Sequence, residues 1–87
     1  MPPAQKPIAV QELSEGAKIE LKMIPHHGRN QLVAEYKAEG RRAKKWLSHK
    51  PHSRLDELLE AFPEIAQTNI TREFELRLLD GNRRTLM

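Results

Sequence analysis

Residues 17–24, AKIELKMI, alternate Ile19, Leu21 and Met23 with Lys18, Glu20 and Lys22, the period-two pattern of a strand that buries one face. Pro25 and Gly28 interrupt it, and QLVAEYKA then alternates Leu32, Ala34 and Tyr36 with Val33, Glu35 and Lys37. After the turn signal Glu39-Gly40, RRAKKWLS reads as a third, more basic strand, so the three form an antiparallel meander. The period then changes. Ser53 stands where a helix N-cap belongs, with Asp56 three residues on, and Leu55, Leu58, Leu59 and Phe62 recur at the i, i+3, i+4, i+7 spacing of an amphipathic helix ending at Pro63. TREFELRLL returns to alternation, with Phe74, Leu76 and Leu78 against Glu73, Glu75 and Arg77. It predicts a strand despite its helix-favouring residues, and Asp80-Gly81 marks a turn before a short terminal strand or tail, RRTLM.

The pattern therefore predicts an α+β fold, a small antiparallel sheet of three to four strands in β-β-β-α-β order packed against one amphipathic helix. Residues 1–10, proline-rich and aperiodic, read as a flexible N-terminal arm, and 11–87 as a single small domain. A chain of 87 residues buries only about 60–65% of its unfolded surface, so the core is small. Cysteine is absent, which removes disulfides and Cys-ligated zinc as sources of stability. MPPAQKPIAVQEL carries no apolar run of signal-peptide length and no window approaches a membrane span, so the expected location is the cytoplasm.

A net charge of +3 conceals a sharper layout. Between residues 26 and 54, eight Lys/Arg face only Glu35 and Glu39, and all four histidines lie there; residues 55–87 are acidic overall. A basic middle points to a polyanionic partner. In an up-down-up meander the PHHGRN loop and the segment after Ser48 lie at the same end of the sheet, beside the helix N-terminus. His26, His27, Arg29, His49, Lys50, His52 and Arg54 are then expected together where helix N–H groups also favour a phosphate.

Trp46 depends on hairpin register. A two-residue Glu39-Gly40 turn sets Val33 opposite Trp46, Glu35 opposite Lys44 and Lys37 opposite Arg42, with the indole among cations. A three-residue loop with Gly40 in a bulge moves the indole to the Leu32/Ala34/Tyr36 face. The first arrangement is an aromatic platform in a positive field, suited to nucleic acid; the second makes Trp46 core.

The function expected on these grounds is non-enzymatic nucleic-acid binding, DNA or RNA, through Arg29, Lys37, Arg41, Arg42, Lys44, Lys45, Trp46, Lys50 and Arg54, with no cofactor and no metal. Two alternatives stand beside it. One is a small ribonuclease using His26, His27, His49 and His52 as acid and base. The other is a homodimeric interaction module in which the acidic C-terminal third and Leu86-Met87 pair with a basic strand of a second copy.

Overall fold

The computed structural model describes residues 6–80. Four strands, β1 (Ala9–Glu12), β2 (Lys18–His26), β3 (Arg29–Ala38) and β4 (Arg41–Trp46), form one antiparallel sheet in the order β1-β2-β3-β4. Two helices follow, α1 (Pro51–Ala61) and α2 (Arg72–Asp80), with a 3-10 turn at Pro63–Gln67 between them. Both helices cover the same face of the sheet. Ile19 and Leu21 of β2, with Leu32, Ala34 and Tyr36 of β3, share one buried cluster with Leu47, Leu58, Phe62, Ile65, Phe74 and Leu78. Burying each large apolar side chain contributes about 1.5–3 kcal/mol, and this layer is the main source of stability. Among the described residues the other face carries no helix.

The α+β class and the meander agree with the sequence pattern; the element count differs at both ends. Of the stretch 1–10 expected to be an arm, residues 1–5 lie outside the described residues, and its later part joins the sheet: the Ile8 N–H donates to the Leu21 carbonyl at 2.8 Å, and β1 begins at Ala9. This strand turns Ala9 and Gln11 toward the core, a small residue and a polar one, so the usual apolar signature is missing. Gln11 is buried yet satisfied. Its Nε2 donates to the carbonyls of Glu12 and Asn69, and its Oε1 accepts from the Thr71 N–H at 2.9 Å, which ties the first strand to the start of the last helix.

Residues 72–80 are a helix, not the expected strand. Thr71 Oγ1 accepts from the Phe74 N–H at 3.2 Å, the N-cap geometry that starts it. Phe74 and Leu78, four residues apart, face the core, and Leu76 points to solvent at 46% exposure. With only two buried positions the segment fits a short helix as well as it fits alternation, and its Glu, Arg and Leu content favours the helix. The single-helix expectation is corrected to two α-helices among the described residues. The predicted terminal strand RRTLM lies outside the described residues, as does Leu86-Met87.

Helix α1 starts at Pro51, with Lys50 rather than Ser53 at the N-cap; proline suits the first helical position because its missing N–H has no partner there anyway. At the β2–β3 turn, His27 and Gly28 adopt φ of 53° and 78°, the paired left-handed residues of a type I′ hairpin.

Candidate nucleic-acid interface

The β3–β4 ladder settles the position of the indole. Val33 pairs with Trp46, Glu35 with Lys44, Lys37 with Arg42 and Ala38 with Arg41, the register of the two-residue turn. Gly40 is left-handed at φ 72° without shifting it. Trp46 therefore stands on the open face and is 38% exposed. Val33, also on that face and opposite Trp46, is fully buried, and the indole leans over β3 toward β2. Its ring centroid is 4.5 Å from that of His26 on β2, with the planes tilted by 33°, and His27 meets His26 edge-on at 4.1 Å. Gln31 Nε2 donates to the Leu47 carbonyl at 3.0 Å. The tip of the β2–β3 hairpin and the exit from β4 thus adjoin at one end of the sheet.

The cations divide among different environments. Arg42 and Lys44 share the open face with Trp46 and are exposed, and among the described residues neither forms an ion pair within 4.0 Å. Arg41 and Lys45 alternate to the other side of β4. The Arg41 guanidinium lies 5.4 Å from the centre of the Tyr36 ring, a cation–π contact, and Lys45 is close enough to Glu57 to help stabilise its carboxylate. Arg29, on the hairpin tip, is exposed, as are His49, Lys50 and His52 around the start of α1.

Lys37 belongs to an ion-paired cluster of three lysines and two glutamates. Glu20 and Glu35 are direct partners across β2–β3, an arrangement of like charges that disfavours the pairing by itself. Lysines resolve it: Lys37 Nζ is 3.0 Å and Lys18 Nζ 3.3 Å from Glu20, and Lys22 Nζ is 2.8 Å from Glu35 and 3.6 Å from Glu20. Burial raises the pKa of Glu20, but hydrogen bonds from Lys37 and Lys18 outweigh it and hold the carboxyl below its ordinary value. Glu35 is lowered chiefly by the hydrogen bond from Lys22, and that bond raises Lys22 in turn. The charge of Lys37 is therefore already compensated.

Arg54, expected at the phosphate surface, is turned into the protein at 8% exposure. Its Nη1 donates to the carbonyls of Leu78 at 2.9 Å and Leu79 at 3.2 Å, and its Nε donates to the Ser48 carbonyl at 2.9 Å. Burial pushes its pKa down while Glu57 and Asp80 oppose that shift. The guanidinium fastens the last turn of α2, whose carbonyls lack helical partners, to the β4–α1 connection. Arg54 is accordingly removed from the interface. Glu57, missed at the level of sequence, completes the clamp: the Ser48 N–H donates to its Oε1 at 2.9 Å, which lowers its pKa.

The four histidines fall into two pairs, His26 with His27 beside Trp46, and His49 with His52 along a shallow cleft of about 510 Å³ that Pro51, Arg54, Leu79 and Asp80 also line. No three His, Asp or Glu side chains converge on a metal position among the described residues, and no helix among them is long and apolar enough to cross a membrane. The sheet's open face thus combines exposed rings, cations without an ion-pair partner among the described residues, and a lysine–glutamate centre of three lysines and two glutamates. No family model, curated protein or solved structure matches this chain.

Proposed function

We propose that the protein is a non-enzymatic nucleic-acid-binding domain whose contact surface is the open face along β3 and β4. The observation that carries this reading is the register that sets Trp46 on that face beside Lys44 and Arg42. A lone tryptophan left partly exposed on a sheet costs hydrophobic stabilisation, and cations next to it supply the long-range attraction a polyanion needs. Arg42 and Lys44 contact backbone phosphates, Arg29 at the hairpin tip and Lys50 before α1 add further positive charge, and Trp46 and His26 meet the bases. Phosphate contacts of this kind position a strand without reading its sequence.

Fluorescence anisotropy with labelled single- and double-stranded DNA and RNA at two salt concentrations tests it. Binding is expected to weaken steeply as salt rises, and Arg42→Glu with Lys44→Glu is expected to reduce both affinity and salt slope. Failure of every nucleic acid to bind at low salt would overturn the proposal. Cleavage of the RNA, lost on changing His49 or His52, would replace it with the ribonuclease reading.

A further inference from the structure

We infer that the open face takes unpaired bases, so that the protein prefers single-stranded nucleic acid to duplex. This rests on the reading of that face as a nucleic-acid surface and adds the form of ligand it accepts. Three features combine. First, the indole of Trp46 on β4 meets the ring of His26 on β2 although β3 runs between their strands, so it leans over β3 instead of projecting straight from the sheet. Trp46 stays 38% exposed and so offers ring surface to a base, whereas the π-faces of duplex bases are already used by their neighbours in the stack. Second, the His26 ring adjoins it at 4.5 Å, giving an aromatic surface that spans from β4 to β2. Third, Lys44 and Arg42 follow Trp46 at alternate positions down the same face of β4, a line of cations beside the rings along which a strand's phosphates can run. Aromatic rings flanked by a cationic track are the equipment of single-strand binders, which accept any base because every base has a π-face. A duplex would meet the cations and leave the rings unused.

Trp46 is the only tryptophan of the chain, so its emission reports this surface alone. The experiment titrates the full protein with a thymidine oligonucleotide of about ten residues, with a duplex of equal length, and with inorganic polyphosphate as a polyanion without bases. The single strand is expected to bind most tightly and to quench the emission, while polyphosphate binds without comparable quenching. Since Val33, opposite Trp46, is fully buried, two variants separate stacking from packing. Trp46→Leu keeps an apolar cover and loses the ring; Trp46→Phe keeps both. Anisotropy with labelled oligonucleotide is expected to show a loss of roughly 5- to 150-fold for Trp46→Leu, and Trp46→Phe retaining most of the affinity. Duplex binding as tight as single-strand binding, or single-strand affinity untouched in Trp46→Leu, would overturn the inference and leave a phosphate-binding surface in place. Absence of binding to all three ligands removes the surface and the inference together.

Discussion

Arg54 and Leu78 join the two helices: the guanidinium at the beginning of α1 donates to the carbonyl at the end of α2 across 2.9 Å. The same side chain holds the Leu79 and Ser48 carbonyls, so one residue of basic sequence character serves three backbone acceptors. Truncating it strands the buried Leu78 carbonyl and weakens the anchoring of two partly buried ones. Arg54→Ala is expected to lower unfolding free energy by about 3 kcal/mol, the scale of losing charged hydrogen bonds to buried groups. Arg54→Lys recovers little, because one ammonium cannot reproduce the planar fork. Urea unfolding followed by circular dichroism checks both. Nucleic-acid affinity, measured on protein that remains folded, is expected to be unchanged; a tenfold loss would return Arg54 to the interface.

The alternation of β4 makes a second prediction. Arg41 and Arg42 are adjacent in sequence but leave the strand on opposite sides, as do Lys44 and Lys45. Single Ala substitutions of Arg42 and Lys44 are expected to weaken nucleic-acid binding more than those of Arg41 and Lys45, and each to lower the log–log salt slope by about one. Equal effects from all four would mean that the strand edge, not its open face, meets the ligand.

Acid should expose the lysine–glutamate cluster. Glu20 and Glu35 have folded-state pKa values below the ordinary 4.5. Their stabilisation is therefore complete above that value and disappears as pH falls through the lowered folded-state values. Lys22 behaves oppositely: its raised pKa keeps its contribution complete below 10.5 and loses it at higher pH. At neutrality both are in place. Urea midpoints are expected to hold from neutral pH down to the carboxylate range and then fall, and Glu35→Gln is expected to flatten that fall. An acid limb unchanged in Glu35→Gln would assign the loss to other carboxylates.

The limits of sequence legibility follow from how much each residue reveals about its neighbours. Ile19, Leu21, Leu32, Ala34 and Tyr36 alternate because one face of their strands is dry, and both central strands were visible for that reason. Trp46 was ambiguous because alternation fixes faces within a strand but not the pairing between strands; only the hairpin turn does that. Val10 and Glu12 alternate outward in β1 correctly, yet inward Ala9 and Gln11 carry no apolar signal, so the strand was hidden. Arg54 misled for a different reason. Composition counts its charge as surface charge, whereas its partners are carbonyls at the end of α2 that become neighbours only after folding. The same holds for Lys37, whose partner Glu20 lies on another strand.

The hairpin tip offers a prediction in which stability and binding can be separated. His27 holds φ at 53° and Gly28 at 78°, both in the left-handed region that a type I′ turn requires. Glycine enters that region freely, histidine only at some cost, and asparagine is the residue most at home in the first position. No atom beyond its two chain neighbours lies within 4 Å of where a Cβ on Gly28 would stand, so space does not oppose a side chain there; the backbone angle does. Gly28→Ala is therefore expected to destabilise the protein by about 1 kcal/mol through strain alone. His27→Asn is expected to stabilise it by a few tenths of a kcal/mol, visible as a higher thermal midpoint. Because His27 touches His26 edge-on and not Trp46, the substitution leaves the ring pair of the open face in place. Single-strand affinity in His27→Asn should thus stay within about twofold of wild type, half a kcal/mol or less. A thermal midpoint that rises while binding falls by an order of magnitude would show that the imidazole of His27 itself meets the ligand, and would extend the surface from the sheet to the tip of the hairpin.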